Sequence, residues 1–115
     1  MTAASASSAR LPLEGVRVIE FTHMVMGPTC GMILADLGAE VIKIEPPGGD
    51  KTRNLPGLGI GFFRSFNRNK KSVVLDIHTP EGLATALELI AQCDVMLENF
   101  RPGLMARLGL DHATL

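Results

Sequence analysis

Val16-Arg17-Val18-Ile19-Glu20-Phe21-Thr22-His23-Met24-Val25-Met26-Gly27-Pro28 is the stretch on which the reading of the fold turns. Its first six residues favour extended backbone and read as a buried strand. The next ones lack any periodic pattern and read as a loop, and Pro28 stands near the N1 position that a helix tolerates. A second stretch repeats the design: residues 94–98 read as a strand, Asn99-Phe100-Arg101-Pro102-Gly103 as a loop, and a short helix follows. Open α/β sheets bind ligands in the crevice beyond the carboxyl ends of their strands. The two loops are therefore the first places to look for a binding site.

Working outward, residues 28–37 carry Met32, Ile33 and Leu37 at helical spacing, with Gly38 placed to cap the end. Residues 40–45 predict the next strand after a connection of about two residues, normal within an α/β unit. The Pro/Gly-rich residues 46–61 predict a long irregular excursion, residues 62–71 mix three phenylalanines with four cations, and residues 72–77 read as a third strand. Thr79-Pro80-Glu81 opens a helix with an N-cap hydroxyl, a proline at N1 and an acid in the first turn; Leu83, Leu87 and Ile90 are its expected buried face. A short helix over residues 104–108 stops at Gly109, and Asp111 reads as the N-cap of another helix, of which four residues follow. One helical turn depends on packing, so the chain is read as the N-terminal part of a longer protein. The alternation predicts an α/β fold: a Rossmann-like, mostly parallel sheet with flanking helices and right-handed crossovers. The Gly-x-Gly-x-x-Gly turn of dinucleotide-binding proteins is missing after the first strand, and Gly57-x-Gly59-x-Gly61 lacks the strand-to-helix context.

The 115 residues make one domain at most, and 46% hydrophobic with 20% charged residues is ordinary for a globular protein. A net charge of -1 argues against general nucleic-acid or membrane-surface binding, so any anion site is local. Cys30 and Cys93 lie far apart and read as reduced thiols, which points to the cytoplasm. No apolar run approaches the roughly 18 residues of a membrane span. Residues 1–10, Ala/Ser-rich, are expected to form a flexible tail ahead of a domain over residues 11–115, in preference to a secretory signal or an organellar presequence.

Arg64, Arg68, Lys70 and Lys71, interleaved with Asn67 and Asn69, suit an anionic group such as a phosphate; a solvated basic face is the alternative. The loop from Asn99 to Gly103 offers backbone N–H groups, an amide and the Arg101 guanidinium to an anion, against a purely structural turn. His23 is read as a structural histidine sooner than a general base, because no nucleophile or orienting acid stands at a suitable spacing. The three histidines and two cysteines show no metal-ligand pattern, so no metal is expected. The methionines are read as core filler, with Met24 and Met26 as candidates to line an acyl pocket.

Several long motifs in order carry a resemblance over nearly the whole chain from Leu13. They are Leu13-x-Gly15-x-Arg17-Val18, Gly27-Pro28, the run from Leu34 to Pro47, Gly49-Asp50, Asn67-Arg68-Asn69-Lys70-Lys71-Ser72, Leu75-Asp76, and the run from Asp94 to Gly103. On these the chain resembles the class III coenzyme A transferases, the formyl-CoA and carnitine-CoA transferase family. The resemblance implies an enzyme moving CoA between an acyl-CoA and a carboxylic acid through enzyme-bound anhydride and thioester intermediates, and an interlocked homodimer. CoA is then a substrate, with no bound cofactor, and neither nucleic acid nor membrane is a partner. The nucleophilic aspartate of the family belongs to a later segment, so no catalytic residue is assigned here and the chain alone is expected to be inactive. What the resemblance implies for this chain is part of the CoA site: Met24 and Val25, Pro46, the run Leu75-Asp76-Ile77-His78, Asn99, Phe100 and Arg101, and Arg107. Formyl-CoA transferases have glutamine where Val25 stands and a basic residue where Pro46 stands, which points to a larger or more apolar acyl group. A racemase of α-methylacyl-CoA shares many of these motifs and is the alternative, and a non-catalytic CoA-binding module is the third reading.

Overall fold

The computed structural model describes residues 9–115, so most of the expected N-terminal tail lies outside the described residues. Four strands form one all-parallel sheet: β1 (Arg17–Phe21), β2 (Glu40–Glu45), β3 (Lys70–Val74) and β4 (Val95–Glu98), in the order β3-β2-β1-β4. Helices α1 (Met26–Asp36), α2 (Phe62–Phe66), α3 (Pro80–Ala91) and α4 (Leu104–Leu108) connect or follow them, and two 3₁₀ turns, Lys51–Asn54 and Gly57–Gly61, occupy the excursion after β2. The expected parallel α/β sheet is the one observed. Among the described residues no helix is long and apolar enough to cross a membrane.

β1 and β2 are the central strands and are buried almost throughout, whereas β3 and β4 are edges and half open. Because side chains alternate across a strand, the two sheet faces differ. Ile19, Phe21, Ile42 and Ile44 point to one side and join Ala86 of α3, Met105 of α4 and Leu110 in an apolar core. The other face is apolar only at the start of the strands, where Val18 and Val41 meet Ala35 and Ala39. Toward the strand ends it carries Glu20, Lys43 and Glu45, all at most 1% exposed.

That polar face dictates how α1 packs. Its buried residues are Gly27, Pro28, Gly31 and Ala35, small side chains at a spacing of four with a proline beside them. The expected apolar face is not the packed one, since Ile33 and Leu37 are 50% and 39% exposed. The space beneath the helix is already filled by charged side chains. Lys70 from β3 reaches under α1, donates to Pro28 O and Asn67 Oδ1 at 2.8 Å each, and lies 2.6 Å from Glu20 Oε1. Burial pushes the Lys70 ammonium below the ordinary lysine value, and Glu20 opposes that shift. A Cβ on Gly31 would stand 2.8 and 2.9 Å from the two Glu20 carboxylate oxygens.

Farther along the same face Glu45 is fully enclosed by donors. Arg53 binds it through Nε and Nη2 at 2.7 Å each, the Asp50 N–H donates at 2.8 Å, and the Ser72 hydroxyl completes the set. The Arg53 hydrogen bonds, chief among these donors, hold the Glu45 carboxyl at about 2, against the burial that favours its neutral form.

One boundary and one buried face differ from the sequence reading. β3 spans Lys70–Val74 and not residues 72–77, because its partner β2 ends at Glu45, paired with Val74; Leu75 gives its N–H to Glu45 O and the chain then leaves the sheet. The apolar run that looked like strand continues as a wall. On α3 the Thr79 hydroxyl caps the Gly82 N–H as expected, but the buried residue is Ala86, flanked by Leu83 and Ile90, while Leu87 is 39% exposed. Gly82 has a role that its helical setting concealed: a Cβ there would meet Asp76 O at 1.9 Å. At Asp111, the expected N-cap, the chain makes a turn closed by Leu115 N–H to Asp111 O at 3.1 Å.

Two consequences are measurable. Gly31→Ala gains about 1 kcal/mol of helix propensity, yet its methyl group must displace a carboxylate pinned by Lys70 and Thr22. Overpacking costs roughly 1–3 kcal/mol, so denaturant unfolding should show no net gain and on balance a loss, while Gly61→Ala, where a Cβ meets open space, is close to neutral. The second concerns acid. Glu45 titrates near 4.5 when free and near 2 when folded, so the unfolded chain binds more protons between these values and stability falls as pH drops through that window. Asp36 and Glu40, lowered mainly by Arg68 and Lys71 respectively, act in the same direction. The slope of unfolding free energy against pH below about 4.5 should flatten in Glu45→Gln; an identical slope would contradict the assignment.

Candidate functional site

At the carboxyl end of β1 three successive residues have their main chain gripped by side chains from three other places. Lys43 of β2 donates to Thr22 O at 2.8 Å. The Asn99 amide, just past β4, accepts from the His23 N–H at 3.1 Å and donates to His23 O at 3.0 Å. Thr52 Oγ1, from the first 3₁₀ turn, accepts from the Met24 N–H at 3.0 Å. Met24 itself has φ +66°, the left-handed region that residues with bulky side chains avoid.

These grips are linked. Lys43 Nζ lies 3.1 Å from Asp50 Oδ2, and Asp50 Oδ1 accepts from the Thr52 N–H at 2.9 Å. The path from Thr22 O through Lys43, Asp50 and Thr52 back to Met24 is a closed ring of polar contacts. Thr22 adds a 2.5 Å hydrogen bond to Glu20, which joins this ring to the charges under α1. Glu20 Oε1 and Asp50 Oδ2 have no hydrogen bond aligned on them; each faces a lysine ammonium at the distance of an ion pair. Gly27 completes the corner, since a Cβ there would stand 2.7 Å from the Asn99 side chain and 2.8 Å from that of Thr22.

The corner opens onto a cavity of about 550 Å³ beyond the carboxyl ends of β1 and β2. Phe21, Ile44, Leu75, Phe100, Leu104 and Leu108 give it an apolar floor, and Lys51, Asp76, His23 and His78 stand among its polar lining. The His23 and Phe100 rings stack at 5.4 Å between centroids. Arg53, which anchors the loop from below, lies 3.8 Å over the Phe63 ring. A space of this kind takes a ligand with an apolar stretch and a polar or charged end.

Of the residues expected from the sequence, Met24, Pro46, Leu75, Asp76, Ile77, His78 and Phe100 all line this cavity. Four do not. Val25 is the half-buried N-cap of α1, where its carbonyl accepts from Thr29. Asn99 spends its amide on His23. Arg101 and Arg107 are exposed, the latter on α4 between the lining residues Leu104 and Leu108. The cationic run proposed for an anion is instead largely paired within the fold: Arg68 with Asp36 at 2.7 Å, Lys71 with Glu40 at 2.8 Å, and Lys70 with Glu20. Sequence reasoning missed Lys43, Asp50 and Thr52 as site-shaping residues. The one available signal was a lysine set among Val41, Ile42 and Ile44 in a strand bounded by Glu40 and Glu45.

The fold agrees with comparisons to known proteins. A formyl-CoA:oxalate CoA-transferase of Bradyrhizobium sp. (strain ORS 278) is 48% identical over 102 residues, which cover 84% of this chain and 24% of that protein. The CoA-transferase/lyase DddD of Marinomonas sp. (strain MWYL1) is also 48% identical, over 92% of this chain and 12% of its own length. The chain thus spans about a quarter or less of these relatives. Among solved structures, Rv3272 from Mycobacterium tuberculosis in its orthorhombic form superimposes with a TM-score of 0.87 at 47% identity, over 91% of this chain and 30% of that one. A CAIB/BAIF family protein from Brucella suis does so with a TM-score of 0.83 at 38% identity, over 92% and 30%. The family profile described as CoA-transferase family III matches residues 13–115, and with that match the chain belongs to this family.

Proposed function

We propose that this chain is the part of a CoA-transferase that receives an acyl-CoA, in a protein that moves coenzyme A between an acyl-CoA and a carboxylic acid. The observation that carries the reading is the cavity at the ends of β1 and β2, in which seven residues implied by the family resemblance come together on an apolar floor. Its wall can pack along the hydrocarbon part of a thioester, with about 0.8 kcal/mol available per buried methylene. Cations stand at or near the opening: Lys51 in the lining and Arg107 on the adjacent helix suit the phosphates of CoA.

In this reading the attacking aspartate comes from a segment outside the chain, so residues 9–115 bind and orient without performing the transfer. The reacting protein is an interlocked homodimer, as the family resemblance implies, and works in the cytoplasm, a reading supported by the free thiols of Cys30 and Cys93. The acyl group is larger or more apolar than formyl. Supporting this are the apolar lining and the absence of a cation at Pro46, which lines the cavity and where formyl-transferring relatives place a basic residue.

The test uses the full-length protein. CoA binding by calorimetry should be saturable, and Arg107→Ala should weaken it on the order of tenfold, the equivalent of one charge-assisted hydrogen bond. That loss should shrink at high salt, because Arg107 is exposed and screened. Steady-state transfer with formyl-, succinyl-, butyryl- and aryl-acyl-CoA should favour the larger donors. Absence of CoA binding would overturn the function, and formyl-CoA as best donor would overturn the acyl preference.

A further inference from the structure

We propose that Thr52 is a positioning residue, a latch that holds Met24 in its left-handed conformation and so sets the wall of the cavity; the ligand part of this inference rests on the CoA reading above. Among the described residues only Met24 and Asn69 have positive φ without being glycine. Asparagine visits that region readily, whereas for methionine it persists only where the surroundings impose it. Met24 is 41% exposed, so its own burial does not impose it. Thr52, at 1% exposure, does: its hydroxyl oxygen accepts the Met24 N–H at 3.0 Å and lies 3.9 Å from Met24 Sδ, touching both main chain and side chain.

The latch is itself braced. The Thr52 N–H is fixed by Asp50 Oδ1, Asp50 is ion-paired with the buried Lys43, and Lys43 holds Thr22 O two residues before Met24. Asn99 fixes His23 between them. Thr22 and His23 therefore cannot absorb a change at Met24. Once the Thr52 acceptor is lost, the strain is released at Met24 alone, and its side chain leaves the position in which it lines the cavity. Thr52 acts on a ligand through Met24, and the loop carrying Pro46 and Lys51 is tied to the same bracing.

A double-mutant cycle on the full-length protein separates this from general structural damage. Thr52→Val keeps the shape and removes the acceptor; Thr52→Ser keeps the acceptor. Met24→Gly permits positive φ without a latch. Thr52→Val should raise the dissociation constant of an acyl-CoA about fivefold, a size typical of contacting pairs. Thr52→Ser should restore it, and Thr52→Val should add almost nothing in the Met24→Gly background. Amide hydrogen exchange at Met24 should speed up in Thr52→Val while the amides of β1 keep their protection. An equal loss of affinity in both backgrounds, or an unchanged Met24 exchange rate, would overturn the proposal. Failure of the unmodified protein to bind any acyl-CoA would instead overturn the CoA reading, and the exchange rates alone would then decide the latch.

Discussion

A lysine ammonium with 1% exposure in the middle of a parallel sheet is the constraint from which much of this structure follows. Lys43 lies opposite Glu20 in the register of β1 and β2, on a face that a central strand would ordinarily fill with aliphatic side chains. An isolated buried charge is costly, and a buried pair offsets that cost only where its geometry is good and its remaining protons find acceptors. Lys43 meets these conditions with Asp50, Thr22 O and Thr22 Oγ1. The pairing pins a loop to a strand end, and removing one partner alone would leave the other charge uncompensated.

The apolar and polar faces of the sheet consequently do different work. Ile19, Phe21, Ile42 and Ile44 supply burial on one side, and α3 and α4 pack there through ordinary hydrophobic contact. On the other side Glu20, Lys43, Glu45 and Lys70 supply direction: each contact specifies one donor and one acceptor at one distance. This explains why α1 approaches through glycine, proline and alanine, and why its larger apolar side chains are left half exposed. It also explains how a loop after β2 rich in glycine and proline is ordered at its base, where Glu45 collects four donors.

The polar layer and the cavity meet at residues 22–24. Strand ends in α/β sheets expose main-chain groups that ligands can use, and here the same groups are instead held by Lys43, Asn99 and Thr52. The result is a rim of fixed main chain beside an apolar space, with freedom left to exposed side chains such as Lys51 and Arg107. A rim held in this way is ordered by the fold itself, without a ligand.

Local chemistry was enough to read β1, β2, the Thr79 cap of α3, the stop of α4 at Gly109 and the parallel arrangement, because each depends on residues close in sequence or on an alternation that only one sheet type accommodates. The motif runs also pointed to residues that the fold brings to one cavity. What the chain alone did not disclose depends on neighbours distant in sequence. Residues 75–77 look like strand by composition, but a strand needs a partner, and β2 ends at Glu45. Arg68, Lys70 and Lys71 look like an anion site until Asp36, Glu20 and Glu40 are brought against them. Asn99 reads as a loop amide facing outward until His23, seventy-six residues earlier, is brought against both its oxygen and its nitrogen. Residue type and spacing determined which groups could do chemistry; tertiary structure decided which of them were already occupied, because a buried charge or amide must find its partner wherever the fold brings one within reach.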